Sequence, residues 1–136
     1  MRFVSLALLG LQLLAQPAAF GEEGKFLIEL NTVEPVENRC RLNFVIENNS
    51  DTAIDSMKLD LVVFGSDGGI LRRLLAEMGP VHSLKTIVRT FVIDNECGRF
   101  GSILVNEVSA CAPGSPNSCL DSLAISSRLK DLRFYK

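Results

Sequence analysis

From Cys40 the chain reads CRLNFVIEN. Leu42, Phe44 and Ile46 fall on one side of an extended backbone, and Arg41, Asn43 and Glu47 on the other. A period of two marks a β-strand with one face on a core and one in water. The pattern returns from Met57 to Phe64, with Met57, Leu59, Leu61 and Val63 inward and Lys58 and Asp60 outward. Val62 and Phe64 make the end of that strand apolar on both faces, so a central position is expected, covered near Phe64.

Other segments agree. KFLIELN (Lys25 to Asn31) is a short β-type run followed by the turn-rich TVEPVEN, and NNSD (Asn48 to Asp51) has the composition of a turn. GSDGGI sets a Gly/Asp cluster between apolar runs, a hairpin signal. Ile70 to Met78, ILRRLLAEM, fits a helix face, but the hairpin turn before it and Gly79-Pro80 after it favour a strand. KTIVRTFVI (Lys85 to Ile93), SILVNEVSA (Ser102 to Ala110) and LAISSRL (Leu123 to Leu129) bring the set to about seven strands. With no convincing helix, the pattern predicts an all-β chain folded as an immunoglobulin-like two-sheet β-sandwich.

The beginning of the chain bears on its compartment. MRFVSLALLGLQLLAQPAAFGEE has one positive charge at Arg2, an apolar run from Phe3 to Leu14, and small residues ahead of an acidic start. That is the layout of a secretory signal too short to span a bilayer, with cleavage expected after Gly21. Residues 22–136 then form a single domain of ordinary size, with no stable membrane insertion once the signal is removed. Setting aside Arg2, the 14 basic and 16 acidic residues leave the exported part at a net charge of −3. A nucleic-acid partner normally requires a clustered basic face. The terminal SSRLKDLRFYK, the one basic concentration, reads as a solvated tail or an edge strand.

All four cysteines, Cys40, Cys97, Cys111 and Cys119, lie in the exported part, and an even count in an oxidising compartment reads as a disulfide framework. A zinc site is disfavoured, since no C-x-x-C occurs and the only histidine, His82, is far from any cysteine in sequence. Cys97 and Cys111 flank the expected strand 102–110, whose ends lie about 30 Å apart, so they cannot pair. Two schemes remain, and the simpler joins Cys40 to Cys97 and Cys111 to Cys119. On chain-entropy grounds these bonds would contribute about 4 and about 2.6 kcal/mol.

Catalytic chemistry is not evident. A nucleophile needs a base beside it, and His82 sits in a turn with no nucleophile pattern around it. Met57 and Met78 are accounted for by packing, so neither a metal nor a cofactor is expected. Asn48-Asn49-Ser50 satisfies a glycosylation sequon, a frequent chance match. Two non-enzymatic readings follow. The first is a binding module for another protein, with the stiff loop Pro113, Gly114, Ser115, Pro116, Asn117 between Cys111 and Cys119 as a candidate contact. The second is a small-ligand or metal carrier using His82, Asp94 and Glu96.

LNFVIENNSDTAIDSMKLDLVVFGSDGGILRRL, with KTIVRTFVI after it, resembles FxLYD-type and related immunoglobulin-like modules of bacterial envelope proteins. Asn48, Asp51, Leu61, Phe64, Asp67 and Gly68 stand at the matching places, over about half of the exported chain. The sequence departs from that pattern at Gly65, where the module has an acidic residue, and in its four cysteines. The cysteine-bearing ends, NRCRLNFVIEN, NECGRFGSILVNEVSAC and CLDSLAISSRL, resemble a family of small exported alphaproteobacterial proteins labelled by their signal sequence. That resemblance implies a periplasmic accessory role beside another envelope protein, with components of Tol/Exb-type proton-driven motors as the candidate partners.

Overall fold

The structure, a computed structural model, describes residues 25–136, so the expected signal segment and its cleavage site lie outside the described residues. The alternating segments become β1 (Phe26–Val36), β2 (Arg39–Asn48), β3 (Ser56–Gly65), β4 (Ile70–Glu77), β5 (Lys85–Ile93), β6 (Phe100–Ala112), β7 (Leu123–Ser127) and β8 (Arg133–Tyr135). They form two four-stranded sheets, ordered β5-β2-β1-β7 and β4-β3-β6-β8. The described residues thus form an all-β two-sheet sandwich, with eight strands where about seven are expected. Segment 70–77 is a strand, as its flanking turns indicate.

Leu42, Phe44 and Ile46 of β2 are fully buried, and Leu59, Leu61 and Val63 of β3 face them from the other sheet. Phe44 sits at the middle, its ring centroid 6.0 Å from Phe91 and 5.3 Å from Phe134. Such edge and tilted contacts suit the aromatic quadrupole and hold the layers in one arrangement. Both predicted strand positions hold: β3 is internal to its sheet, and the β3–β4 turn closes with Gly65 N–H donating to Gly69.

Two local readings need correction. TVEPVEN is not a turn, because β1 continues through Val36 and only Glu37 and Asn38 turn the chain. Pro35 is tolerated there because β7 pairs with β1 only from Phe26 to Leu30, which leaves the Pro35 end without a neighbour on that side. The stiff loop expected over Pro113 to Asn117 gives way to a helix, α1 (Pro116–Ser122), which Pro116 opens and Ser115 caps, its side chain accepting from Ser118 N–H. A proline in the first helical turn gives up only a donor that would have had no partner. The basic tail becomes β8, an edge strand parallel to β6, with Phe134 buried. β7 is also parallel, to β1, so the chain end joins both sheets.

Cys40 is bonded to Cys97 and Cys111 to Cys119, with Cα atoms 4.9 Å and 6.6 Å apart. This is the simpler of the two schemes, and β6 keeps Cys97 and Cys111 apart as argued. Two intact disulfides belong to an oxidising compartment. Cys119 is buried at 7 % exposure, so its loop is anchored to the core rather than free on the surface.

Gly65 is part of a close approach between strands. A Cβ on Gly101 would lie 2.7 Å from the Gly65 carbonyl oxygen, so β6 can meet the end of β3 only without a side chain there.

Two outcomes follow. Cys40→Ser should lower the melting temperature more than Cys119→Ser, since it opens a loop of 57 residues' separation instead of 8 and leaves a hydroxyl at a fully buried site. Equal losses in parallel thermal melts would contradict that order. Gly101→Ala should cost about 1–3 kcal/mol by overpacking, read from the urea midpoint, whereas Gly98→Ala, with nothing within 4 Å of the added carbon, should be near neutral.

Candidate functional site

The outer face of the β4-β3-β6-β8 sheet gathers the chemistry that the core does not use. Since Met57, Leu59, Leu61 and Val63 point inward, Lys58, Asp60, Val62 and Phe64 point outward. Register sets Leu75 opposite Asp60, Arg73 opposite Val62 and Ile70 opposite Phe64. On the far side Arg133 pairs with Ser102 and Tyr135 with Leu104.

Asp60 is the anomaly. Its outward position predicts a solvated carboxylate, yet it is 3 % exposed. Arg73 covers it, donating from Nε to Oδ1 at 2.9 Å and from its terminal nitrogen to Oδ2. Asn106 donates to Oδ2 at 2.9 Å. Asn106 reaches it because β6 bulges there: Asp60 pairs with Glu107 and Leu61 with Val105, so Asn106 is the extra residue. A second bulge leaves Ser109 over, and its hydroxyl donates to the Lys58 carbonyl. Bulges re-aim side chains in this way, and alternation alone gives no warning of them.

The Arg73 hydrogen bonds, with help from Asn106 and the nearby positive charge, hold the Asp60 pKa below the usual carboxylate range against the opposing effect of burial. With both oxygens engaged, Asp60 is a structural anion and not a general base. At the end of β4, burial alone would raise Glu77. The backbone N–H groups of Met57 and Gly79 and the Ser56 hydroxyl, with Lys58 nearby, bring it below its ordinary value instead.

Two open depressions mark this face. One, of about 460 Å³, is lined by Asp60, Arg73, Leu75, Glu107 and Ser109. The other, of about 490 Å³, runs between Phe64, Gly65, Gly101, Ser102, Arg133 and Tyr135. The Arg133 guanidinium lies 3.9 Å from the Tyr135 ring centroid, a cation–π contact at the rim. Ile70 and Leu75 stand 69 % and 65 % exposed beside them.

The residues singled out by sequence fall elsewhere. Pro113 to Asn117 are exposed at one end of the sandwich, next to the Ser56–Ala112 pairing. The hydroxyls of Ser115 and Ser118 are spent on each other and on the α1 cap. His82 lies in the exposed turn before β5, and Asp94 and Glu96 follow its other end. A nine-residue strand, about 30 Å long, separates them, so the carrier's candidate ligands are not brought together. Among the described residues no group of three or more His, Cys, Asp or Glu is placed to hold a metal.

Asn48 is 1 % exposed, and its side chain is fully committed. Nδ2 donates to the carbonyls of Thr52, Val81 and His82, and Oδ1 accepts from Ser50 N–H and Oγ. The sequon is therefore closed to modification in the folded chain. No protein-family model, curated protein or solved structure matches the chain.

Both carboxylates titrate below their unfolded values. Their contribution to stability is full above the ordinary carboxylate range, near pH 4, and is lost as pH falls through the folded-state values. Melting temperature should hold from about pH 7 to 5 and drop below about pH 4. Asp60→Asn should lower it at neutral pH and flatten the acid limb in circular-dichroism melts. An unchanged acid limb would remove Asp60 as its cause.

Proposed function

We propose that the protein is a non-enzymatic binding module of the periplasm that docks another cell-envelope protein on the outer face of the β4-β3-β6-β8 sheet. The observation that carries the reading is the pair of exposed apolar side chains, Ile70 and Leu75, beside the Asp60–Arg73 pair. An open sheet face with apolar contacts around a fixed polar centre suits a protein surface better than a small molecule, which is taken up in a concave pocket.

The disulfides support an exported location, and the envelope-module resemblance supports the partner class. Components of Tol/Exb-type motors are the first candidates to test. The Pro113–Asn117 loop is a rival contact, weakened by the internal use of its serine hydroxyls.

A photo-crosslinking amino acid placed at Leu75 in cells should give one discrete protein adduct, while the same group at Ser126, on the other sheet, should give none. Leu75→Arg should reduce partner recovery about tenfold, the loss of one well-buried apolar contact. Adducts arising from Asn117 but not from Leu75 would move the contact to the disulfide loop. Equal labelling from all positions would remove the docking reading.

A further inference from the structure

Among the described residues four strands form the sheet edges: β4, β5, β7 and β8. An exposed edge invites pairing with another chain, and proteins blunt such edges by shortness, bulges, prolines or charges. β7 has five residues and β8 three. β4 breaks register opposite Val63 and Phe64 and carries Arg72 and Arg73 in sequence. β5 differs. Of its two basic residues Lys85 is terminal and Arg89 is turned onto the Met78, Gly79 and Pro80 carbonyls. It pairs with β2 over all nine residues without a bulge and contains no proline, and Val88 and Val92 are 59 % and 45 % exposed on its outward face.

The sequence of β5 is nearly a palindrome. Ile87-Val88-Arg89-Thr90-Phe91-Val92-Ile93 reads the same in both directions except that Arg89 exchanges with Phe91. An antiparallel pair of identical strands with its two-fold axis at Thr90 sets each residue against its mirror position. Ile87 then faces Ile93, Val88 faces Val92, and Thr90 faces Thr90. Arg89 falls opposite Phe91 twice, with each guanidinium already bonded to the Met78, Gly79 and Pro80 carbonyls of its own copy, so no like charges meet. Thr86 falls opposite Asp94 and Lys85 opposite Asn95, so no like charges are set against each other at the ends. Centring the axis on Arg89 instead would set two guanidinium groups face to face, which is destabilising.

We propose that β5 is the contact edge for a second copy of this chain, paired antiparallel about Thr90 so that two four-stranded sheets become one continuous sheet. Such a contact is isologous and closes on itself, which consumes the edge and stops further growth there. Its core is a four-valine cluster, two from each copy, on the outward face. The surface is separate from the Leu75 docking face and does not depend on it.

Sedimentation equilibrium on the signal-free chain should show a reversible monomer–dimer equilibrium in the micromolar range, as expected of a small interface. Thr90→Arg, at an exposed position, should weaken it about fivefold or more by placing like charges on the axis. Register is read independently by cysteine pairing. Thr90→Cys alone should oxidise to a covalent dimer, Val88→Cys alone should not, and a mixture of Val88→Cys with Val92→Cys should give the mixed dimer. Leu75→Arg should leave the dimer constant unchanged, which separates this contact from the envelope docking site. A chain that sediments as a monomer at every concentration overturns the proposal. So does a dimer that Thr90→Arg leaves intact, or one in which Val88→Cys links to itself.

Discussion

β2 is held at both ends, and the sandwich depends on that. At its start Cys40 is bonded to Cys97, so the chain leaving β5 is fixed against the strand it has just paired with. At its end the Asn48 carboxamide satisfies carbonyls in both the β2–β3 and the β4–β5 connections. Both connections cross from one sheet to the other, where backbone groups leave their ladders and need new partners. One buried side chain supplies them at that end, and at the other a covalent bond holds the chain in place. Between these anchors Leu42, Phe44 and Ile46 share one buried core with Leu59, Leu61 and Val63.

That arrangement explains which parts were legible in the sequence. Strand alternation in β2 and β3 follows from burial of one face, and burial is written in residue type. Of the three possible disulfide pairings one was legibly excluded, because a strand between two cysteines forbids their union, and the choice between the other two rested on simplicity alone. Pro35 and Pro116 misled for a common reason: a proline breaks structure only where its missing donor would have been used, and at both positions no partner was waiting. The parallel pairings of β7 and β8 were not legible, since parallel register depends on where the chain returns and not on local pattern.

The candidate site was hardest to see because its key residue obeys the alternation rule and breaks its consequence. Asp60 points outward as its position requires, yet Arg73 and the bulged Asn106 enclose it. The signal that could have found it was the lone acidic residue on an otherwise apolar outward stretch, Asp60 beside Val62 and Phe64, with Arg73 on the next strand. An ionised group in such a neighbourhood requires a partner. The face thus acquires a rigid polar centre, and rigidity lowers the entropic cost of binding anything against it.

The chain's last residues contribute to its centre. Phe134 packs on Phe44, and Lys136 Nζ donates to the Leu120 and Leu123 carbonyls where α1 ends. β8 is only three residues long, yet with Lys136 after it this segment closes the core over Phe44 and ties down the end of α1 at the same time. A short strand placed where two layers and a helix meet therefore fixes more of the packing than its own ladder does, because each group it holds belongs to a different element.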